Sequence, residues 1–151
     1  MHNAAAHNDA GATSDLARLL ARGVCRALAE HGLATLTEFT LASGRRVDVI
    51  GLDRSGLVTI VEIKSGLEDF RSDRKWQEYL EFCDFFFFAV PEGFPRAVLP
   101  DDCGLMAADG FGAEILRESP DYGLNGPRRK AQSLRFGLAA AERLNRLIDP
   151  R

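Results

Sequence analysis

Apolar positions recur at helical spacing from Leu16 onwards: Leu16, Leu19, Leu20, Gly23, Val24, Ala27 and Leu28 share one face. Ser14 is placed to cap the start of that helix and Gly32 its end. Arg18, Arg22 and Arg26 stand four apart on another face and read as a solvated basic stripe, with a phosphate-facing stripe as the lesser alternative. The period then changes. Leu36 to Leu41, Arg45 to Leu52 and Leu57 to Lys64 read as strands, with the turn sequence Asp53-Arg54-Ser55-Gly56 between the last two. A helix is expected from about Ser72 to Cys83, carrying Trp76, Tyr79, Leu80 and Cys83 on one side. The run Phe85 to Val90 demands a strand covered on both faces. Weaker strands are expected near Leu105–Ala108 and Ala113–Arg117. Asn125-Gly126-Pro127 opens a last helix to about Leu147. The order predicts an α/β fold: an αβββαβ core with one mixed sheet flanked by helices, plus an extra C-terminal helix.

The chain has 151 residues, the size of one domain. Residues 1–13 read as a disordered tail and 14–151 as one domain. Met1 to Thr13 lacks the basic start and apolar run of a signal peptide, and Phe85–Val90 is far too short to cross a bilayer. A soluble cytoplasmic protein is expected. Cys25, Cys83 and Cys103 lack zinc or disulfide spacing, and His2, His7 and His31 offer no triad. A net charge of −3 supplies no global positive field for DNA and weighs mildly against a DNA-coating or architectural protein. Any nucleic-acid contact must be local.

Two strands carry charges where strands seldom do. Val58 and Ile60 share a face with Glu62 and Lys64, so an apolar face turns abruptly into acid plus amine. Asp48 sits among apolar residues in the preceding strand. A three-residue loop, Arg54-Ser55-Gly56, puts Asp48 opposite Glu62. A two-residue loop, Arg54-Ser55, puts it opposite Val61. Glycine in the left-handed position suits the first. Two facing carboxylates repel unless a cation lies between them. Asp48, Glu62 and the main-chain carbonyl of Ile63 would supply oxygen ligands to Mg2+ or Mn2+. Lys64 would orient the attacking water and offset charge on phosphorus. Glu38, on the first strand, is either a third carboxylate of that site or a surface residue.

The pattern Asp48, hairpin, Val61-Glu62-Ile63-Lys64, then a helix with Lys75 and Tyr79, resembles the PD-(D/E)xK nuclease superfamily. That superfamily uses the restriction-endonuclease-like αβββαβ core. The segments RRVDVIGL, VEIKSG and FRSDRKWQEYLEFCD and the FAVP ending are similar to the MmcB-related bacterial DNA-repair family. The resemblance spans roughly residues 14 to 120. It implies a DNA-repair role, Mg2+-dependent cleavage of DNA, and DNA contacts from Lys75 and Tyr79, where the superfamily motif has Gln and Tyr. Val47 replaces the proline of that motif. Arg22 stands near the point where many members carry a first-helix glutamate.

Outside that pattern, Arg128, Arg129 and Lys130 fall in the first turn of the last helix, a position suited to phosphate. Arg71, Arg74 and Lys75 form a second basic group. The competing function is a non-catalytic DNA-binding or repair-complex protein on the same fold. DNA is the expected partner, and a homodimer is one arrangement that would cut both strands.

Overall fold

The computed structural model describes residues 4–72 and 75–151. Helix α1 (Ala4–Glu30) is followed by strands β1 (Ala34–Thr40), β2 (Arg46–Leu52) and β3 (Val58–Ile63). Next come α2 (Leu67–Ser72), a 3-10 segment (Trp76–Phe82), β4 (Phe85–Val90), a short 3-10 turn (Arg96–Val98), β5 (Gly104–Ala108), β6 (Ala113–Arg117) and α3 (Gly126–Ile148). Among the described residues the six strands form one sheet in chain order. β1, β2 and β3 are an antiparallel meander, β4 and β5 join in parallel, and β6 returns antiparallel. This is the mixed α/β sheet expected from the sequence. No described helix is long and apolar enough to cross a membrane.

Two helical expectations need correction. α1 starts at Ala4, so Ser14 lies inside it rather than at its cap, and the stretch expected as tail is helical from Ala4 on. The alanines at 4–6 favour helix intrinsically. The helix expected from Ser72 to Cys83 is two pieces, α2 and a 3-10 segment, and Arg74 lies outside the described residues. The tighter segment turns Trp76 and Tyr79 onto the phenylalanine strand. Trp76 stacks on Phe86 at 5.5 Å and meets Phe88 edge-on at 5.4 Å; Tyr79 stacks on Phe86 at 6.2 Å.

Each face of the sheet has its own core. Leu20, Val24 and Leu28 of α1 cover Val49, Val61, Phe87 and Ala89. On the other face Trp76, Tyr79 and Phe136 cover Phe39, Ile60, Phe86 and Phe88. The four phenylalanines are therefore covered on both sides, as their sequence requires.

Asp84, between the 3-10 segment and β4, ties the second layer down. Its carboxylate is buried and accepts from the Val58 amide at 2.8 Å and the Leu124 amide at 3.1 Å. Arg129 grips both its oxygens at 2.7 Å and also donates to the carbonyls of Gly56 and Leu124. Burial alone would raise the Asp84 pKa, but the Arg129 hydrogen bonds and the two amides hold it below its ordinary value of 3.8. Arg129→Ala strands a buried carboxylate and should cost ~3 kcal/mol in denaturant unfolding. A group with a lowered pKa stabilises fully above its ordinary range and loses that contribution as pH falls through the lowered value. The substitution should therefore also move acid unfolding to higher pH; unchanged stability and an unchanged acid midpoint would refute this role.

Candidate functional site

The β2–β3 loop decides what meets at the far end of the hairpin. The Asp53 carboxylate accepts from the amides of Ser55 (2.8 Å) and Leu57 (2.9 Å) and from the Ser55 hydroxyl (2.7 Å). The Asp53 amide donates to the Leu57 carbonyl at 3.1 Å, so the loop is Arg54-Ser55-Gly56. Gly56 has φ +88°, the left-handed conformation that glycine enters without penalty. The ladder runs from Leu52↔Val58 to Val49↔Val61. The next step brings Asp48 to Glu62.

There the strands open, and side chains replace ladder bonds. The Asp48 amide donates to Glu62 Oε1 at 3.0 Å, and the Ile63 amide donates to Asp48 Oδ2 at 2.7 Å. On the far side β3 stays zipped to β4, with the Lys64 amide donating to the Ala89 carbonyl at 2.9 Å. Glu62 and Lys64 are both buried; Asp48 is half-buried.

β1 contributes the distortion. Glu38 has φ +48°, among the described residues the one non-glycine with a positive φ. Such a conformation costs about 1–3 kcal/mol and gathers at functional sites. The pairs Thr37↔Val49 and Phe39↔Val47 keep register on either side of it. Yet Val49 packs under α1, while Val47 and Phe39 pack in the opposite core. Regular alternation would give Val47 and Val49 the same face. The strand pair therefore rolls over between them, at Glu38 and Asp48. Arg143 of α3 donates to the Glu38 carbonyl at 3.0 Å and helps hold the roll.

A groove of about 410 Å³ opens at this point. Ala17, Arg18, Ala21 and Arg22 of α1 form one wall, with Glu38 and Asp48 on the other. Burial raises the Asp48 pKa, and Asp69 and Glu38 push the same way. The Ile63 amide and the Lys64 charge oppose this without cancelling it. Lys64 lies 3.8 Å from Asp69 on α2, and the Ser65 amide donates to the same carboxylate at 3.3 Å.

The hairpin thus brings together Asp48, Glu62, Ile63 and Lys64. Glu38 shares the groove, but among the described residues no three Asp, Glu, His or Cys side chains cluster as metal ligands. Lys75 is exposed ahead of the 3-10 segment. Tyr79, expected at DNA, is buried against Phe86, with the Arg45 guanidinium 5.8 Å above its ring. Arg129 is committed to Asp84. Arg128 bonds the Glu81 carbonyl and carboxylate, lies over the Phe82 ring, and lines a separate groove beside α3. Lys130 is exposed on the same helix. Sequence reasoning missed Asp69 as the partner of Lys64, although an acid in the first turn of a helix just after the lysine was a usable signal.

The model of the MmcB-like DNA repair protein family matches residues 3–151, nearly the whole chain. The chain belongs to that family. Membership in the MmcB-like family places it in DNA repair. The solved structure of a protein of unknown function from Silicibacter pomeroyi is similar to this MmcB-like chain at 47% identity, with a TM-score of 0.84, over 87% of this chain and 90% of that one. No curated protein matches it.

An acid with a raised pKa contributes stability below its ordinary value, and that contribution is lost as pH rises through the raised value. Ionised Asp48 therefore costs stability at neutral pH. Asp48→Asn should melt at a higher temperature than the wild type at neutral pH in chelator. The gap should close as pH falls toward the ordinary value of 3.8. A variant less stable at neutral pH would contradict the burial argument.

Proposed function

We propose that this chain is a metal-dependent deoxyribonuclease of the PD-(D/E)xK type, hydrolysing phosphodiester bonds during DNA repair. The observation that carries the reading is the meeting of Asp48 with Glu62 where the β2–β3 ladder opens, two residues from a buried lysine. Hard oxygen donors from two adjacent strands fit a small divalent cation. Asp48, Glu62 and the Ile63 carbonyl would hold Mg2+ or Mn2+. When bound, the ion would polarise the phosphoryl oxygen and lower the pKa of a water. The raised Asp48 pKa supports the fit, because a carboxylate that burial disfavours gains most from a cation.

Lys64 does the remaining electrostatic work. Its ammonium, held by Asp69, orients the attacking water and offsets charge building on the phosphate. The Ile63 amide that donates to Asp48 favours the ionised carboxylate a cation needs, against the burial that raises its pKa. Glu38 adds negative charge to the groove and strengthens its call for a cation.

One observation favours a second reading, a non-catalytic DNA-binding repair protein on the same fold. Lys64 already faces Asp69, and both carboxylates already take amide protons, so the cluster is internally paired. Incubation with branched, flapped and single-stranded DNA in Mg2+ or Mn2+ separates the two. The nuclease reading expects cleavage that Asp48→Asn and Lys64→Ala each reduce by about 100-fold or more. Equal cleavage by all three proteins would mark a contaminant and end that reading. A gel shift indifferent to Asp48→Asn, with no cleavage in either metal, would establish the second.

A further inference from the structure

We infer that Arg18 and Arg22 of α1 form a phosphate clamp on the wall of the groove opposite Asp48, gripping the backbone of a single DNA strand. The inference deepens the reading of this groove as a nucleic-acid site. One wall carries the carboxylates of Glu38 and Asp48. A phosphodiester entering beside those carboxylates is repelled unless cations face it. Arg18 and Arg22 supply them from the other wall. They stand one helical turn apart on one face, and the other α1 residues that line the groove are the small Ala17 and Ala21, so the space between guanidiniums and carboxylates stays open.

Structural duty does not account for these arginines. Both are exposed, and Arg18 reaches Asp15 only at 3.8 Å between two largely solvated side chains. The helix itself cannot roll them away from the groove. Gly23, next to Arg22, lies so close to the β5–β6 turn that a Cβ there would collide with the carbonyl oxygens of Asp109 and Gly112. At the other end Gly51 of β2 admits Leu33, where a Cβ would come within 2.8 Å of its Cδ2. The buried face of Leu20, Val24 and Leu28 completes the lock. The guanidinium fork then meets phosphate oxygens in two-point geometry.

The test measures binding without turnover. A fluorescein-labelled single-stranded oligodeoxynucleotide is titrated with the full chain in EDTA, followed by anisotropy over a range of salt. Arg18→Ala and Arg22→Ala should each weaken binding by about tenfold or more. Each should reduce the slope of log K against log salt by about one. Arg22→Lys should restore the slope but only part of the affinity. Arg26→Ala, one turn beyond the groove, should change neither affinity nor slope by as much. Unchanged affinity and slope in Arg18→Ala/Arg22→Ala, with an unchanged melting temperature, overturns the clamp. Displacement of the oligonucleotide by inorganic phosphate at constant ionic strength assigns the arginines to a free phosphate and overturns the strand assignment. Arginine-dependent binding by a chain that never cleaves refutes the nuclease reading alone. Cleavage that survives loss of both arginines at full affinity refutes the clamp alone.

Discussion

Asp53 closes the β2–β3 hairpin by accepting from three donors on Ser55 and Leu57, and the parity of the loop it begins decides which side chains face one another five residues along each strand. With three loop residues, Asp48 comes to Glu62. With two, Asp48 would come to Val61 and its side chain would leave the Glu62 face, because strand side chains alternate. The same constraint puts Lys64 at the end of β3, where the Asp69 carboxylate of the following helix reaches it. Every chemical statement about this molecule descends from that register.

The site is costly, and the rest of the fold offsets the cost. Glu38 sits in a left-handed conformation, burial penalises the charged form of Asp48, and Lys64 is almost wholly enclosed. Against this stand two apolar cores on opposite faces of the sheet and the Asp84–Arg129 pair. That pair joins the start of β3, the start of β4 and the start of α3 at one point. It holds the strand that carries Glu62 and Lys64 from its other end.

Much of this was legible in the residue order. The Asp-x-x-Gly turn, the alternation broken by Glu62 and Lys64, and the phenylalanine run led directly to the meander, its register and the central strand. Helical spacing alone does not distinguish an α-helix from a short helix followed by a 3-10 turn, so the single helix expected after β3 is in fact two pieces. Tyr79 was assigned to DNA by its spacing from Lys75, whereas the tighter 3-10 geometry turns it into the core. Arg129 gave no local sign of its role because its partner, Asp84, lies 45 residues earlier. The roll of β1 and β2 at Glu38 and Asp48 was hidden as well: nothing in a glutamate announces a positive φ, which here is fixed by tertiary contacts such as Arg143. The spacing of the α1 arginines leaves a solvated stripe and a phosphate-facing stripe both open, and favours the first; only the sheet puts a groove beside Arg18 and Arg22.

The central claim is that the hairpin register assembles a cation site from Asp48 and Glu62. Anomalous diffraction from crystals of the wild type and of Asp48→Asn, grown with Mn2+, tests it most directly. The account predicts one manganese peak in contact with both carboxylates and the Ile63 carbonyl in the wild type, absent from the variant. A wild-type map with no peak there, and with both carboxylates still bonded to the Asp48 and Ile63 amides in the presence of Mn2+, would contradict it.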